Sequence, residues 1–595
     1  MDYIKLTECY TELESTSKRL EKTNIIKEFL KNVLNEKDPE QIINLLRGSV
    51  FPSWDQRKIG VSDKLVIKAL TTSTGISKDK VEKLYTKTGD LGLVAEELTK
   101  SKKQTTLQTK KLTCDLVYNK LRQLAELEGQ GTVNKKVGLM SELLTSASPQ
   151  EAKFVVRTIL MQLRIGVAEG TLRDAIVWFF FEDKLKLNYI KEENQLDIPE
   201  KTRQEYNLFL EKVQHGYDLT NDFAEVFLII KEKGIKGLEE ISLNAGKPIN
   251  VMLFQKAKDI EEAFKIVGKP AAFEYKIDGF RLQIHSKSGK IILYTRNLEN
   301  VTNQFPDVIL ALQESIKEKD YIIDTEVVGI DPKTKKQVPF QAISQRIKRK
   351  YDIAKLVKEV PIIIHVFDII SHKNQSLLDT PFHRRRHILE KIVKPLPYKI
   401  YPIKQVVTDD VKEAEQFYKE SLDLGNEGMM AKKLDAPYKP GSRVGYGIKI
   451  KPILDTLDLV IVKAEYGQGK RAGWLTSFTV ACLNKEKDKL LELGKVGTGV
   501  KEKEQEEGIT YAEMTKILKP LMKKQTGNEI TIEPKIVIEI AFEEIQKSTE
   551  YSSGYGLRFP RVLRLRIGLK EKPIDEISTI EDIEQIYNIQ RYRNK

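Results

Sequence analysis

The spacing of the apolar residues changes twice along this chain of 595 residues, and that change limits the folds that the chain can adopt. Residues 3–225 repeat apolar side chains at the three- to four-residue interval of an amphipathic helix. Near Gly246 strands and helices begin to mix, and from Leu457 onward the pattern is rich in short strands. Because the chain is too long for one hydrophobic core, the sequence predicts several domains of different class.

These three patterns predict a multidomain protein. Residues 1–235 are expected to be all-α, residues 236–453 to form an α+β domain, and residues 454–595 to be mostly strands. In the last part, five strands and one helix around Ala512–Lys523 are typical of a small closed β-barrel of the OB type. A five-stranded open sheet would show almost the same pattern. In the middle part the expected strands are Tyr321–Ile330, Pro361–Ile370, Gly428–Leu434 and Tyr446–Lys451, and the expected helices are Val308–Lys317 and Val411–Ser421.

Composition excludes several classes of protein. No apolar run approaches the ~20 residues that span a bilayer, and the N-terminus lacks the basic and apolar segments of a secretory signal. The three cysteines, Cys9, Cys114 and Cys482, are too far apart to form a paired-cysteine zinc module. Their scarcity is typical of a reducing compartment. We therefore expect an enzyme of the cytosol or nucleus, with the cytoplasm as the preferred localisation.

The chain carries a net charge of +13. Such an excess aids solubility when it is spread over solvated faces, but it also favours binding to a polyanion, since each neutralised phosphate releases counterions. Two basic runs, Arg346–Lys350 and Arg384–Arg386, favour a nucleic-acid partner, although both are also compatible with ordinary protein surface. Charge alone does not distinguish these alternatives.

One stretch combines a strand pattern with an unusual set of charges. Ala272–Arg296, AFEYKIDGFRLQIHSKSGKIILYTR, alternates polar and apolar side chains with the period of two of a β-strand. The dipeptide Ser288-Gly289 is expected to form the turn of a hairpin. One face of the first strand carries Glu274, Lys276 and Asp278. A lysine between two carboxylates can act as a nucleophile if its surroundings favour the neutral amine.

Further charged residues recur at the ends of the expected strands. After Lys276–Arg281 come the segments Thr295–Thr302, Asp324–Glu326, Phe367-Asp368, Glu427–Lys432 and Lys449–Lys451. This ordered set resembles the covalent nucleotidyltransferase superfamily, and specifically the ATP-dependent DNA ligases of the archaeal and eukaryotic replicative type. The resemblance covers essentially the whole chain, including the Arg164–Gly170 turn and the C-terminal Leu557–Arg561. It implies a helical DNA-binding domain, a nucleotidyltransferase (adenylation) domain and an OB-fold domain.

The resemblance implies covalent chemistry at Lys276. In the family pattern this lysine attacks the α-phosphate of ATP, expels pyrophosphate and becomes a lysyl-AMP phosphoramidate. A free lysine has a pKa of about 10.4, so the amine must become neutral before it attacks. Bound Mg²⁺ and Lys449 would favour the neutral form, while Asp278, Glu326 and Glu427 would oppose it unless the metal occupies them. Mg²⁺ is therefore expected, with Glu326 and Glu427 as its candidate ligands.

The resemblance also implies the nucleotide contacts. Glu274 would accept a hydrogen bond from the adenine amino group, and Glu326 would lie near the ribose or the metal. Phe367 would stack on the base, with an ordinary core aromatic in an apolar strand as the alternative. The residues implied for ribose and phosphate are Arg281, Arg296, Arg443 and Lys449.

By the same resemblance, AMP passes to the 5′-phosphate at a nick and the adjacent 3′-hydroxyl displaces it, as in DNA replication, repair and recombination. The expected partner is nicked double-stranded DNA, encircled by the helical domain and the barrel through sequence-independent phosphate contacts. Backbone amides of the Arg164–Gly170 turn are candidate phosphate contacts, with a plain helix–helix turn as the alternative. A monomer is expected. A sliding clamp is a candidate partner, and the polar segment Gln104–Lys111 is a guess for its docking site.

The chain departs from the family pattern at three places. Gly447 stands where an aromatic residue, commonly Trp, precedes the Lys-x-Lys strand, and Thr325 stands where Gly is usual. The last motif usually ends Arg-x-Arg-Glu-Asp-Lys, but here Arg564-Leu565-Arg566 is followed by Ile567-Gly568-Leu569-Lys570. Because that motif orients pyrophosphate in the family, we expect adenylation with weak use of ATP.

Other enzyme classes and one non-catalytic class are alternatives. Messenger-RNA guanylyltransferases and RNA ligases use the same lysine chemistry, but neither explains the long helical N-terminal region. NAD-dependent DNA ligases have a four-cysteine zinc site that three scattered cysteines cannot supply. A nucleic-acid-binding scaffold that has kept the fold would bind nicked duplex without sealing it. The sequence does not decide whether the nucleotide substrate is ATP, ADP or GTP, because stacking on a purine and one glutamate contact are compatible with more than one nucleotide.

Overall fold

The structure is a computed structural model that describes residues 1–595 except 56, 101–110, 128, 130, 242, 244, 339–342, 344–345, 348–352, 442, 453–455, 469–470, 487–488, 503–507, 527, 567–572 and 593–595. The chain forms two compact units. The first contains Met1–Val81, Leu91–Ser421 and Asn426–Ile450, and the second contains Glu82–Asp90, Leu422–Gly425 and Lys451–Lys595. No helix in the described ranges is long and apolar enough to cross a membrane. Of the segment guessed for a clamp, all but Lys111 lies outside the described residues.

The N-terminal part of the chain is helical, as its apolar spacing predicts. Ser148 shows how these helices begin: its hydroxyl accepts the Glu151 amide, and Glu151 accepts the Ser148 amide at 2.8 Å. A short antiparallel hairpin, β1 (Asn188–Ile190) with β2 (Gln195–Asp197), interrupts the helices, so the prediction of helix throughout residues 3–225 was wrong there. The described helices are α1 (Tyr3–Ser15), α2 (Arg19–Val33), α3 (Pro39–Leu46), α4 (Asp63–Thr74), α5 (Lys78–Thr88), α6 (Leu91–Lys100), α7 (Cys114–Glu126), α8 (Thr132–Ser146), α9 (Pro149–Ile159), α10 (Glu169–Leu185), α11 (Glu200–Thr220) and α12 (Phe223–Lys233).

The predicted turn at Arg164–Gly170 joins α9 to α10. Arg164 and Gly166 adopt positive φ values of 60° and 64°, which reverse the chain direction within a few residues. The buried ammonium group of Lys22 donates to the carbonyl oxygen of Ile165 and, at 3.2 Å, to that of Gly166. A cation on α2 therefore holds the turn through its carbonyl groups. Contact between its amides and phosphate stays a prediction.

Within the described residues, the central part of the first unit combines two sheets with five α-helices. The strands and helices predicted in this region are observed, with ends within three residues of the predicted bounds. The strands are β3 (Leu253–Ala257), β4 (Ala271–Lys276), β5 (Phe280–Lys287), β6 (Lys290–Thr295), β7 (Tyr321–Gly329), β8 (Ile362–His372), β9 (Gln375–Ser376), β10 (Ile400–Pro402), β11 (Gln405–Thr408), β12 (Gly428–Lys433) and β13 (Arg443–Ile450). The described helices are α13 (Ile260–Val267), α14 (Pro306–Ser315), α15 (Ile353–Glu359), α16 (Phe382–Ile392) and α17 (Val411–Asp423).

The chain passes from one sheet to the other at Gly279. The five-stranded sheet has the order β11-β4-β12-β13-β3, and the six-stranded sheet has the order β10-β8-β7-β5-β6 with β9 on β8. A Cβ atom at Gly279 would lie 2.4 Å from the carbonyl oxygen of Val327, so only glycine allows this close approach. The predicted hairpin is β5–β6, and its turn residues Ser288 and Gly289 both have positive φ, as a type I′ turn requires. The two halves of the alternating stretch thus belong to different sheets.

One arginine of the first basic run and two of the second are buried. Arg346 is 1% exposed and its Nη1 lies 3.0 Å from Oδ2 of Asp307. Arg385 is also 1% exposed and its Nε lies 2.8 Å from Oδ1 of Asp368. Because these guanidinium groups are enclosed with carboxylate partners, the expectation that they mark a nucleic-acid surface was wrong for them. Residues 348–350 of the first run lie outside the described part of the chain.

The C-terminal part, within the second unit, is a closed barrel. Its elements are β14 (Thr456–Tyr466), β15 (Leu475–Asn484), β16 (Lys489–Val496), α18 (Tyr511–Leu518), β17 (Met522–Thr526), β18 (Glu529–Ile532), β19 (Val537–Ala541), β20 (Glu544–Lys547), β21 (Tyr555–Arg558), β22 (Arg561–Leu565) and α19 (Ile580–Tyr592). Strand pairing runs β16-β15-β14-β19-β22. The Val562 amide then donates to the Thr498 carbonyl at 2.9 Å, which joins β22 to the chain just beyond β16.

This closure confirms the OB-type barrel and excludes the open-sheet alternative. The sequence missed the short strands β17, β18, β20 and β21 and the terminal helix α19. The predicted helix at Ala512–Lys523 was too long, because a 3₁₀ turn at Lys519–Leu521 ends it and β17 follows.

Candidate active site

Lys276 is the last residue of β4, at the point where the chain leaves the five-stranded sheet. Its carbonyl oxygen accepts the amide of Glu427 at 2.8 Å, because β12 begins beside it. Its Nζ atom donates to the Glu427 carboxylate in a close ion pair. The two side chains are 19% and 23% exposed, so a substrate can reach both.

Strand register brings several predicted residues onto one face of the five-stranded sheet. Across β4, β12, β13 and β3, the directly opposed residues are Glu274, Met430, Lys449 and Lys256. Opposed residues share a face, and so do residues two apart on a strand, so Lys276 lies on this face as well. We call it the site face. Met430 was not predicted as a site residue, although it belongs to the Glu427–Lys432 motif.

Glu274 is buried on the site face with partners of its own. It is 1% exposed, its Oε2 atom lies 2.6 Å from Nζ of Lys432, and its Oε1 atom accepts from Nε2 of Gln405 at 2.9 Å. A buried carboxylate requires such pairing, and each of its oxygens can still accept a second donor. Sequence reasoning missed both partners. Lys432 could have been found from the sequence, because it lies two residues after Met430 and so on the same face of β12. Gln405 could not, because it reaches Glu274 only through the pairing of β11 with β4.

Arg281 is oriented by a buried carboxylate and a tyrosine. Its Nη2 atom donates to Asp324 in a close ion pair and to the Tyr438 hydroxyl at 2.9 Å. That hydroxyl donates to Asp324 at 2.8 Å. The Nε atom of Arg281 is buried and has no hydrogen-bond partner among the described residues. A buried unpaired donor is uncommon, so this atom is available to an acceptor on a bound molecule.

Phe367 lies on β8 and is half-buried. Its ring centroid is 5.1 Å from Nζ of Lys432 and 5.8 Å from the guanidinium carbon of Arg281. The ring also packs against the apolar core beside the five-stranded sheet. Phe367 therefore joins that core to the charged residues of the site.

Glu326, on β7, adds a carboxylate whose pKa is raised. Burial raises its pKa to about 7; the cations Lys276 and Arg281 oppose the rise, and the negative charges of Glu427 and Asp278 add to it. Among the residues that the structure describes, no three His, Cys, Asp or Glu side chains are grouped as a ready-made metal site. Mg²⁺ does not need one, since it commonly binds one or two carboxylates together with water and phosphate oxygens.

Three further predicted positions are Arg296, Arg443 and Lys451. Arg296 is exposed immediately after β6. Arg443 begins β13, but its side chain lies outside the described residues, as do Ile567–Lys570 of the last motif. Lys451 pairs with Glu543 at 2.9 Å within the second unit.

Gly447 accommodates an aromatic ring from the neighbouring strand. It lies on the site face, two residues before Lys449. A Cβ atom there would lie 2.6 and 2.7 Å from ring atoms of Phe254 on β3. Phe254 therefore occupies the space that a side chain at 447 would need, which accounts for glycine where an aromatic residue was expected.

Three family models match the chain in order along its length. One described as DNA ligase N terminus matches residues 2–177, one described as ATP dependent DNA ligase domain matches residues 251–451, and one described as ATP dependent DNA ligase C terminal region matches residues 471–568. The middle match contains every residue predicted for the catalytic and nucleotide-binding site.

Full-length relatives show the same similarity. A DNA ligase of Nanoarchaeum equitans is 46% identical over 99% of both chains, and one of Methanocaldococcus jannaschii is 40% identical over 98% of this chain and 99% of its own. The DNA ligase of Thermococcus onnurineus is 39% identical over 100% of this chain and 99% of its own. A solved structure titled Pmar-Lig_PreS3 shares the fold with a TM-score of 0.55 at 17% identity, covering 94% of this chain and 99% of that one.

Proposed function

Because this chain belongs to the ATP-dependent DNA ligase family, and so seals nicks in DNA with ATP, we propose that it acts through a covalent AMP on Lys276. The observation that carries the proposal is the close ion pair of Lys276 with Glu427, on a face that also presents Lys449. A nucleophilic amine must be neutral, and a Mg²⁺ ion on Glu427 would offset the negative charge that favours the ammonium form of Lys276.

The residues present are suited to a nucleotide and a metal ion. The unpaired Nε of Arg281 calls for an acceptor such as a ribose or phosphate oxygen. The mutual repulsion of Glu326, Glu427 and Asp278 calls for a cation. Bound Mg²⁺ would be held by Glu326 and Glu427, and it would neutralise charge on the transferring phosphate.

In the first step, Lys276 loses its ammonium proton to water and its lone pair attacks the α-phosphorus of ATP. The phosphorus–nitrogen bond forms as the bond to the bridging oxygen breaks, and pyrophosphate leaves with that electron pair. The 5′-phosphate of a nick next displaces Lys276 from AMP. The 3′-hydroxyl then attacks that 5′-phosphorus and loses its proton to water. A phosphodiester bond forms as the bond from the 5′-phosphorus to the anhydride oxygen breaks, and AMP leaves with that oxygen and its electron pair.

The other predicted residues take positioning and binding roles in this proposal. Glu274, held by Lys432 and Gln405, accepts the adenine amino group with a remaining lone pair, and Phe367 stacks on the base. The ribose and the phosphates are bound by Arg281, Arg296, Arg443 and Lys449. Phe367 and Lys449 are both half-buried beside the site, which leaves part of each side chain accessible.

We extend the proposal to the organisation of the whole chain. Residues 1–235 form the DNA-binding domain, 236–453 the adenylation domain and 454–595 the OB-fold domain. The protein acts on nicked duplex as a cytoplasmic monomer, and a sliding clamp is its candidate partner. The net charge of +13 supports phosphate-dominated DNA binding that weakens steeply with salt.

Denaturing mass spectrometry after incubation with ATP and Mg²⁺ tests the covalent step. The wild type is expected to gain one AMP that maps to Lys276, and Lys276→Ala is expected to gain none. Lys256→Ala is the matched control, because Lys256 lies on the same face and is exposed. An adduct that persists in Lys276→Ala, or maps elsewhere, would contradict the assignment.

Adding nicked duplex then separates the rival functions. Discharge of AMP with sealing of DNA supports the proposal. Discharge only on nicked RNA would favour an RNA ligase, and binding of nicked DNA without any adduct would favour the non-catalytic scaffold.

A further inference from the structure

The strand that carries Arg281 presents two more polar residues that the proposed chemistry does not use. On β5, Arg281, Gln283 and His285 share one face, while Leu282 and Ile284 pack into the core on the other. Gln283 is 2% exposed and His285 is 1% exposed. Buried polar side chains are costly unless they are hydrogen-bonded, so the partners of these two residues indicate what they do.

Gln283 connects to the proposed nucleotide site through Asp324. Its Nε2 atom donates to Oδ1 of Asp324 at 3.3 Å. Oδ2 of Asp324 accepts from Arg281 and from the Tyr438 hydroxyl. Asp324 is fully buried, so its carboxylate is hydrogen-bonded to these protein groups and is shielded from solvent. The orientation of the Arg281 guanidinium therefore depends on Asp324, and that of Asp324 depends on Gln283.

On its other side Gln283 holds the backbone of residues 246–252, which we call the linker. Its Oε1 atom accepts the Ile249 amide at 2.9 Å and contacts Nε2 of His285 at 3.0 Å. The Gly246 amide donates to Nδ1 of His285 at 3.1 Å. Because Nδ1 accepts, Nε2 carries the proton of the neutral imidazole and donates to Gln283. The direction of each hydrogen bond from the linker through His285 to Gln283 is thus defined.

The linker is also bonded to the helical part of the same unit. Asn221, just beyond α11, donates its side-chain amide to the Pro248 carbonyl at 2.9 Å. Its side-chain oxygen accepts from Asn250 at 2.6 Å. Asn221 is fully buried and has a positive φ of 51°. Hydrogen bonds therefore lead from Arg281, through two buried side chains and the linker, to the end of α11.

We propose that Gln283 and His285 are positioning residues that couple the nucleotide site to the linker, so that Arg281 and the helical part are positioned together. The inference rests on the nucleotide contact of Arg281 in the proposed function. A nucleotide that holds Arg281 restricts Asp324 and Gln283, and this restriction reduces the opening of the linker amides. By reciprocity, a fixed linker favours nucleotide binding.

Hydrogen exchange of the full-length protein, before and after incubation with ATP and Mg²⁺, measures this coupling. Adenylation of the wild type is expected to slow exchange about fivefold or more in peptides that contain Gly246 and Ile249. Gln283→Leu keeps most of the side-chain volume but removes both sets of bonds. The variant is expected to exchange rapidly at the linker in both states and to raise KM for ATP more than it lowers kcat.

Ser286→Ala is the matched control for that variant. It lies on the same strand and loses a buried hydrogen bond to the Lys319 carbonyl (2.8 Å), but it does not contact the linker. It is expected to keep the adenylation-dependent slowing. If Gln283→Leu also keeps it, the coupling is overturned.

Asn221→Gly tests the other end and does not depend on the folding of a β5 variant. Glycine tolerates the positive φ, so the change removes the side-chain bonds without straining the backbone. Slowing is expected to persist at the linker and to disappear at the end of α11. Slowing that persists at α11 overturns the role of this path. AMP on Lys276 without any change in linker exchange overturns the inference alone, whereas a wild type that takes no AMP overturns the proposed function and the inference with it.

Discussion

The contact between Gly447 and Phe254 leads to a sharp test of how the site face is packed. A methyl group at 447 would lie 2.6 and 2.7 Å from ring atoms of Phe254, well inside van der Waals contact. Overpacking of this kind typically costs roughly 1–3 kcal/mol. Gly447→Ala is therefore expected to lower the free energy of unfolding of the central part by about 2 kcal/mol. Gly445→Ala is the matched control on the same strand, because a methyl there would be 3.3 Å from Ile266.

A double-mutant cycle isolates the clash from the other effects. Phe254→Ala alone is expected to cost about 2 kcal/mol, near half the cost for a fully buried phenylalanine, since the ring is half-buried. In the double variant the methyl at Gly447 has room where the ring was. The loss of unfolding free energy in the double variant is expected to be smaller than the sum of the losses in the two single variants by at least about 1 kcal/mol.

Differential scanning calorimetry of the full-length protein is the assay, read at the transition that ATP shifts upward. Each kcal/mol moves the midpoint by roughly 2–4 °C in a domain of about 150–250 residues and by less in a larger unit, so Gly447→Ala is expected to lower it by roughly 2–8 °C. The packing argument would be refuted if the free-energy costs of the two single variants add up to that of the double variant. It would also be refuted if Gly445→Ala lowers the midpoint as much as Gly447→Ala does.

Two further predictions concern buried charge and pH. Lys432→Met leaves the carboxylate of Glu274 without its 2.6 Å partner and is expected to cost roughly 3–5 kcal/mol by thermal unfolding, whereas Lys404→Ala, which removes an exposed ion pair, should cost less than about 1 kcal/mol. Equal losses would contradict this reasoning. Burial lowers the pKa of His285 from 6.5 to about 3, so the stability that its neutral form provides is complete above pH 6.5 and is lost as the pH falls towards 3. Between about pH 8 and about pH 5 the wild type should lose about 2 kcal/mol more than His285→Gln in urea unfolding, and identical pH profiles would disprove the assignment. His365, whose pKa burial lowers to about 4, is present in both proteins and its effect cancels.

Much of the site was predictable from local pattern. The period of two placed Glu274 and Lys276 on one face of a strand, and the structure keeps them there. The ends of the central strands and helices followed from the same kind of periodicity. The OB-type barrel followed from five strands and one helix, but its four additional short strands did not, because segments of four or five residues carry too little alternation to be recognised.

What the sequence could not reveal depends on contacts between distant segments. Gln405 reaches Glu274 because β11 pairs with β4, and the sequence of neither strand indicates that register. The arginines at 346 and 385 looked like surface charge until folding enclosed each with a carboxylate. Gly279 marks the passage between two sheets, but the sequence shows one alternating stretch across it.

For this protein, then, the order and chemistry of the motifs determined the family and the kinds of domain and led to the prediction of Lys276 as the nucleophile, because these depend on residue type and spacing along the chain. Only the tertiary structure decided that Phe254 fills the place beside Gly447, that Tyr438 and Asp324 orient Arg281, and that Gln283 ties this site to the linker. The physical reason is that packing and buried hydrogen bonds are satisfied between segments far apart in sequence, where local spacing carries no information.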